Sequence, residues 1–99
     1  MQKYRRNAKI DNNQNEIVKV LRSLPGISVE LSHDDILVGF KGKTYWYEIK
    51  PPEALSKKTG LINESFLKPS QIKLLREWTG HYRVVTSVDE IMLDLKGVE

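Results

Sequence analysis

Two acidic residues and a lysine occupy positions that a short β-hairpin would bring together. Lys41-Gly42 lies between two apolar runs and predicts a two-residue turn. With that turn Asp35 lies directly opposite Glu48, and directly opposed residues have Cβ atoms about 4.5–5.5 Å apart. Lys50 projects from the same face as Glu48 because side chains alternate along a strand. A three-residue turn would shift the pairing by one position and separate the two acids.

The chemistry open to this cluster is that of oxygen ligands. Two carboxylates at such a separation repel each other unless a cation joins them or one of them is protonated. The chain has no cysteine and two histidines, which excludes thiolate nucleophiles, zinc fingers and iron–sulfur clusters and disfavours a histidine-rich metal site. Any bound metal ion must therefore rest on oxygen, which favours Mg²⁺, Mn²⁺ or Ca²⁺.

The same residues also have an ordinary interpretation. Glu-x-Lys is expected by chance in roughly one chain in three or four of this length, and on an exposed strand it only adds solubility. Glu48, however, directly follows the aromatic run Tyr45–Tyr47, in a strand whose two faces are both expected to be partly covered. A charged pair in such a strand needs a partner, and Asp35 is placed within reach through a shared cation. Spacing alone leaves both interpretations open.

Hydrophobic periodicity and turn signals predict the elements that position the hairpin. The predicted order is helix, three strands, helix, strand, helix, which indicates an α/β fold with a central mixed sheet flanked by helices. The predicted elements are a first helix that ends at Pro25-Gly26, strands over Ile27–Ser32, Ile36–Phe40, Thr44–Ile49 and Tyr82–Thr86, a helix from Pro69 to Gly80, and a last helix from the Ser87 capping box to Gly97.

Three features outside the hairpin are also predicted. Leu75 and Trp78 have helical spacing and are expected in the core. Residues 51–68 show no clear period and are expected to form a long loop of the kind that is usually functional or mobile. His81 is expected in a turn and receives no role.

The composition is ordinary for one small domain. The 99 residues are 39% hydrophobic and 29% charged, so we expect a single domain over 11–99 after a basic, flexible arm over 1–10. The first nine residues hold four basic residues and no acid, so the rest of the chain has a formal charge of −1 within a total of +3. The arm is either a solvated tail or a phosphate-binding segment.

A cytoplasmic location is expected, since no apolar run could span a membrane and no signal-peptide pattern occurs.

Four stretches of the chain occur in an order found in a known family. They are Asn13–Val18, Asp34–Gly39, Tyr47–Lys50 and Lys68–Gln71, the last followed by Trp78–Gly80 and Val84–Ser87. With them the chain resembles the PD-(D/E)xK nuclease superfamily, and more narrowly the small stand-alone virus-type replication–repair (VRR-Nuc) nucleases of phages and prophages. The match runs from about residue 11 to 96. It departs from the family pattern at Asp34, where the family has Pro, and at Lys68, where it often has Thr.

The resemblance implies a restriction-endonuclease-like fold and a metal site. Asp35 and Glu48 would bind one or two Mg²⁺ ions, for which Mn²⁺ can substitute, and the backbone carbonyl of Ile49 would be a further ligand. Glu16, from the first helix, would complete the set, although a favourable charge near a helix start is an equally open role for it. Lys50 would orient or deprotonate the attacking water and face the phosphate.

Further residues acquire candidate roles from the same resemblance. Gln71 stands at a family position, where it either positions the water of Lys50 or the backbone, or is merely a surface residue of a helix start. Five basic residues of the arm and the long loop are candidates for phosphate contacts, which would set affinity rather than sequence preference: Lys3, Arg5, Arg6, Lys57 and Lys58. Taken alone, each of these five is more often a solvated charge than a phosphate contact.

The function implied by the resemblance is a Mg²⁺-dependent DNA endonuclease that acts in phage or prophage DNA replication or repair inside the bacterial host. Stand-alone members resemble Holliday-junction resolvases, which act as homodimers, so branched DNA and a second copy of the chain are the expected partners. Neither a membrane nor a small-molecule cofactor is expected. One alternative is a non-catalytic DNA-binding module that keeps the nuclease fold, and another is a partner-binding domain, which predicts no metal binding.

Overall fold

The computed structural model describes residues 13–32 and 35–97. The first helix, α1, covers 13–22 of this range. The elements after it are β1 (Ile27–Ser32), β2 (Asp35–Phe40), β3 (Lys43–Ile49), α2 (Pro69–Glu77), β4 (Arg83–Val85) and α3 (Val88–Lys96). The predicted order α-β-β-β-α-β-α is confirmed. The basic arm with Lys3, Arg5 and Arg6 lies outside the described residues. Of the helices that are described, none is both long and apolar enough to cross a membrane.

The four strands form one mixed sheet. Their spatial order is β1-β2-β3-β4. The strand β2 is antiparallel to both β1 and β3, and β4 is parallel to β3. A parallel pair requires a crossover connection, and the chain between β3 and β4 supplies one that contains α2. The α/β fold with a mixed sheet is therefore the one that the periodicity predicts.

The turn Lys41-Gly42 fixes the pairing of β2 with β3. Both residues have positive φ angles, 54° for Lys41 and 79° for Gly42. Two consecutive positive φ angles belong to the type I′ turn, whose twist matches the twist of the flanking strands. Glycine adopts this conformation at no steric cost. The resulting register places Asp35 opposite Glu48, so the predicted pairing is confirmed.

The two faces of the sheet have different coverings. The core face packs against α1 and α3, and its buried cluster comprises Ile17, Val18, Leu21, Val29, Ile36, Val38, Tyr45, Tyr47, Ile49, Val85, Ile91 and Leu95. The outer face carries the alternate residues of the hairpin, among them Asp35, Leu37, Trp46 and Glu48. The prediction that Tyr45 and Tyr47 pack in the core, away from Glu48, is confirmed.

The region around α2 differs from the prediction. The helix ends at Glu77, and Trp78 has an extended backbone, so the helical period that predicted its burial does not reach it. Trp78 is 51% exposed and Leu75 is exposed as well, which makes the core assignment of both residues wrong. Within α2 itself the buried residue is Gln71.

The segment 51–68 is more regular than its sequence predicts. It contains two 3₁₀ turns, Pro52–Ala54 and Glu64–Phe66, and an antiparallel bridge between Leu55 and Ile62. The backbone N–H of Ser56 donates to the carbonyl of Leu61 over 2.8 Å and closes the loop between the two bridged residues. Because these bonds are local and short-range, they produce no hydrophobic period that the sequence could display.

Candidate active site

Asp35 and Glu48 face each other across the hairpin, at the end of the strand pair that lies away from the turn. Asp35 is the first residue of β2, and Glu48 is the last but one of β3. Glu48 is 3% exposed and is the one buried charged residue among those that the structure describes. Removing a carboxylate from water is costly unless it is paired and hydrogen-bonded. The arrangement therefore has to be stabilised by neighbouring groups.

The neighbours of Glu48 stabilise its charge only in part. The Nζ atom of Lys50 lies 3.5 Å from Oε2 of Glu48. Burial nevertheless raises the pKa of Glu48 to about 8, and the hydrogen bond and charge of Asp35 add to the rise while Lys50 opposes it. When both acids are ionised, their two negative charges exceed the one positive charge of Lys50. The pair is therefore stabilised either by a proton on one acid or by a further cation.

Trp46 holds the other acid in place. Its indole Nε1 donates a hydrogen bond to Oδ2 of Asp35 over 2.7 Å. The two residues are diagonal neighbours on adjacent strands, because the residue directly opposite Trp46 is Leu37. Long aromatic side chains span this diagonal. The strand alternation already placed Trp46 on the same face as Asp35, and the diagonal rule is the signal that would have identified the contact.

Two more aromatic residues surround the indole of Trp46. Trp78 and Tyr82 both meet it edge to face, with ring centroids 5.3 and 4.9 Å away. The Tyr82 hydroxyl is buried and has no hydrogen-bond partner among the described residues. Burial raises the pKa of Tyr82, and the charges of Glu48 and Asp35 raise it further, so the hydroxyl lies within the field of the acid pair. Nothing in the sequence singles out Tyr82, since it follows β3 by more than thirty positions.

The backbone of Lys50 is fixed from two sides. Its N–H donates to the carbonyl of Val85 over 2.9 Å, and its carbonyl accepts from Asn13 Nδ2 over 3.0 Å. The strand β4 and the helix α1 thus both fix the backbone of Lys50 in place, while its side chain remains 15% exposed. Ile49, the predicted backbone ligand, buries its side chain in the core between Glu48 and Lys50 in sequence. Its carbonyl is the group that it could offer to a metal ion.

Glu16 is exposed on α1, one helical turn beyond Asn13. The described residues contain no group of three or more histidine, aspartate or glutamate side chains that could hold a metal ion, so Glu16 does not join Asp35 and Glu48 in one cluster. Ile17 and Val18 form the core-facing side of this part of α1, and Glu16 lies on its exposed side. A ligand role for Glu16 stays a prediction.

Gln71 caps helix α2. Its Oε1 accepts a hydrogen bond from the backbone N–H of Lys68 over 2.9 Å, and Pro69 fills the first helical position. Gln71 is 8% exposed, so its interpretation as a mere surface residue is wrong. Its side-chain oxygen fixes the backbone of Lys68 at the start of α2. A role for Gln71 in positioning the water of Lys50 stays a prediction.

The candidate phosphate contacts within the described residues lie on the segment between β3 and α2. Lys57 and Lys58 are exposed, in the part of the segment that follows Leu55 and precedes Gly60. Their exposure fits a phosphate contact and a solvated charge equally well. Lys3, Arg5 and Arg6, the other candidates, belong to the arm outside the described ranges.

A second polar cluster lies on the core side of the sheet, around His81. The backbone N–H of Trp46 donates to His81 Nδ1 over 3.1 Å, and His81 Nε2 lies 2.6 Å from Oδ2 of Asp94. Because a backbone N–H only donates, Nδ1 is the acceptor and Nε2 carries the proton that Asp94 accepts. His81 thus supplies the partner that β4, which begins at Arg83, is too short to give Trp46.

Asp94 is the centre of this cluster. It accepts a hydrogen bond from the Tyr47 hydroxyl over 2.6 Å and lies 3.3 Å from Nη1 of Arg83. Burial opposes ionisation of Asp94, but the hydrogen bonds from Tyr47 and His81 and the charge of Arg83 outweigh it and hold its pKa below the ordinary value. Burial and then the bond to Asp94 raise the pKa of Tyr47. Sequence reasoning missed the cluster, because its members are far apart in the chain.

Comparison with known proteins identifies no relative. No protein-family model, no curated protein and no solved structure matches this chain. The chemistry of the acid pair and its neighbours is therefore the basis for assigning a function.

Proposed function

We propose that this protein is a Mg²⁺-dependent DNA endonuclease. The observation that carries the proposal is the buried Glu48 carboxylate, opposite Asp35 and paired with Lys50. A salt bridge that served stability alone would gain nothing from a second carboxylate beside it, since like charges destabilise each other. Groups with strongly shifted pKa values cluster at functional sites, and the pKa of Glu48 is about 8.

The donor set suits a hard divalent cation. Asp35 and Glu48 offer carboxylate oxygens and Ile49 offers a backbone carbonyl, which are ligands that Mg²⁺ and Mn²⁺ prefer. The unpartnered Tyr82 hydroxyl near the two acids is available to hydrogen-bond a ligand there. A bound Mg²⁺ ion would activate a water molecule and stabilise the negative charge that develops on a phosphodiester during hydrolysis.

The protein's own groups have distinct tasks in this proposal. The Lys50 ammonium is partly exposed beside Glu48, so it can orient the attacking water and donate to a phosphate oxygen. Trp46 fixes the orientation of the Asp35 carboxylate. Asn13 and Val85 fix the backbone that carries Lys50. Positioning of this kind supplies much of the rate in phosphoryl-transfer reactions.

The substrate that we propose is branched DNA, cut by a homodimer in the manner of a Holliday-junction resolvase. The observed order α-β-β-β-α-β-α is the one that the resemblance to the virus-type replication–repair nucleases implies, and this agreement supports the proposal. A twofold dimer would present two sites to opposed strands of a branched substrate. The basic arm and the exposed Lys57 and Lys58 would contribute phosphate contacts.

The decisive experiment is cleavage of a synthetic four-way junction, with linear duplex and flap substrates beside it, in Mg²⁺, in Mn²⁺ and in EDTA. We expect metal-dependent cleavage that Asp35→Asn, Glu48→Gln and Lys50→Met each reduce at least 100-fold. Glu30→Gln and Lys43→Met are the matched controls, because both residues are exposed on the same sheet. Failure to cut any DNA in either metal ion would exclude the nuclease, and activity that survives the three site substitutions would exclude the assigned residues.

A second candidate is a DNA-binding module that retains the fold without catalysis. The observation in its favour is that the described residues bring two carboxylates together, and no third. This candidate predicts binding of branched DNA with no cleavage in any divalent metal ion. Light scattering of the protein with the junction distinguishes a dimer from a monomer in both cases.

A further inference from the structure

Trp78 presents an aromatic surface to solvent directly beside the acid pair. Trp78 is 51% exposed, and its ring meets the ring of Trp46 edge to face, with centroids 5.3 Å apart. Since Trp46 is hydrogen-bonded to Asp35, the width of one indole separates Trp78 from the carboxylate. Single exposed apolar side chains are common on protein surfaces. What distinguishes Trp78 is that its open face lies beside the acid pair.

The indole of Trp78 packs against Trp46 and lies close to Gly80. Trp46 packs against one side, and Gly80 lies beneath another part of the ring. A Cβ atom at Gly80 would lie 2.8 Å from Nε1 of Trp78, which is closer than non-bonded atoms approach, so a glycine is needed for the indole to lie there. A ring that is partly packed before binding loses less conformational entropy when a flat ligand stacks on it than a ring without such contacts.

The surroundings of Trp78 favour a nucleic-acid strand over an apolar peptide. Helix α2 exposes Lys73, Arg76 and Glu77 before Trp78, and Arg76 lies 3.8 Å from Glu64. Lys50 lies 3.5 Å from Glu48, in the acid pair to which Trp46 is hydrogen-bonded through Asp35. Aromatic rings beside basic groups are the general means by which proteins hold unpaired nucleotides. The faces of a base inside a duplex are covered by its neighbours, so the ring can take only a base that has left the stack.

We propose that Trp78 stacks an unpaired base of the DNA strand whose phosphate lies at Asp35, Glu48 and Lys50, and that the substrate is therefore branched DNA with unpaired nucleotides next to the cut. This inference rests on the proposed nuclease function and specifies its substrate class. The interior of a fully paired linear duplex offers no base to the ring, so such a duplex is the poor substrate.

Binding in EDTA tests the inference without cleavage. Trp46 and Trp78 are the two tryptophans of the chain, so intrinsic fluorescence reports on this region alone. We expect a single-stranded oligonucleotide and a splayed-arm DNA to quench the emission, and a blunt duplex of equal length to leave it nearly unchanged. Quenching by the duplex that equals quenching by the single strand would overturn the inference.

Substitutions then assign the effect to the ring. By anisotropy of a labelled single-stranded oligonucleotide, Trp78→Ala should bind about 5- to 100-fold more weakly, which is the range for one lost base stack. Trp78→Phe keeps an aromatic face and should retain most of the affinity. Leu75→Ala changes an exposed apolar residue of α2, three positions before Trp78, and is the matched control that should bind like the unmodified protein. Unchanged affinity in Trp78→Ala would overturn the inference.

Failure of the stacking inference and failure of the proposed function give different results. Cleavage of branched DNA at the same rate in Trp78→Ala and in the unmodified protein would overturn the stacking role and leave the nuclease intact. Trp78-dependent binding of single strands without cleavage in any metal ion would exclude the nuclease and support stacking on its own.

Discussion

The indole Nε1 of Trp46 donates a hydrogen bond to Oδ2 of Asp35 over 2.7 Å. The donor belongs to β3 and the acceptor to β2, and the bond runs diagonally across the hairpin. The same indole contacts Trp78 and Tyr82 through its ring. One side chain therefore connects the acid pair with the aromatic residues beside it, and its hydrogen bond determines the direction in which the Asp35 carboxylate points.

Replacement of Trp46 by phenylalanine tests this connection, because it retains a ring and removes the N–H donor. We expect the Mg²⁺ concentration for half-maximal cleavage to rise by about 10-fold, since residues that orient a metal ligand typically contribute 10- to 100-fold. Calorimetric titration with Mg²⁺ measures the same change independently of cleavage. Trp78→Phe is the control, since it removes an indole N–H that does not contact Asp35. An unaltered Mg²⁺ affinity in Trp46→Phe would contradict the positioning role.

The register of the hairpin was predictable from the sequence because its physics is local. A two-residue turn at Lys41-Gly42 fixes every pair along β2 and β3, so the approach of Asp35 to Glu48 followed from counting positions. The order of the elements followed likewise from periodicity and capping signals. The capping box of Ser87 and Glu90 forms as predicted at the start of α3.

The parts that the sequence could not reveal depend on contacts between distant segments. Trp78 looks like a core residue in the sequence, but the helix ends one residue before it and leaves the ring on the outer face. His81 accepts a hydrogen bond from the backbone of Trp46 just before β4 begins at Arg83, and its other ring nitrogen meets Asp94 of α3. Neither relationship has a sequence period, since each arises from where a strand or helix happens to end.

The stability of the metal-free protein should fall as the pH rises past neutrality. The pKa of Glu48 is about 8 in the folded state and 4.5 ordinarily, so between these values the folded protein binds a proton that the unfolded chain releases. This stabilisation is complete below pH 4.5 and is lost as the pH rises through 8. We expect the free energy of unfolding in EDTA, measured with urea, to fall by roughly 2–4 kcal/mol from pH 5 to pH 9.

Glu48→Gln should remove most of this pH dependence, because glutamine has no proton to lose. At pH 8 in EDTA the variant should be more stable than the unmodified protein, and Mg²⁺ should no longer stabilise it. In the unmodified protein Mg²⁺ should stabilise more at pH 8 than at pH 6, since a proton and the metal ion compete for the same carboxylate. Glu30→Gln on β1 serves as the control. An equally steep pH dependence in Glu48→Gln would mean that another group titrates.

The cluster around His81 should contribute to stability. His81→Phe preserves a flat ring between Tyr45 and Tyr47 but removes both hydrogen bonds, leaving the Trp46 N–H and the Asp94 carboxylate each without one partner. We expect the free energy of unfolding at pH 7 to fall by about 2–4 kcal/mol. Asp89→Asn, an exposed acid on the same helix as Asp94, should change it by less than about 0.5 kcal/mol. A loss in His81→Phe no larger than in this control would contradict the role.

Tyr82→Phe removes one atom that folding does not need and that a bound ligand could use. The Tyr82 hydroxyl is buried without a partner among the described residues, and a buried hydroxyl in that condition costs free energy. In EDTA the variant should therefore be as stable as the unmodified protein or more stable by about 1 kcal/mol.

Cleavage in Mg²⁺ by this variant should slow by about 3- to 10-fold, because the hydroxyl can donate to a phosphate oxygen beside the two acids. Tyr45→Phe is the control, since Tyr45 packs on the core face, and its cleavage rate should be unchanged. Lower stability with full activity in Tyr82→Phe would show that the hydroxyl serves the fold rather than the ligand.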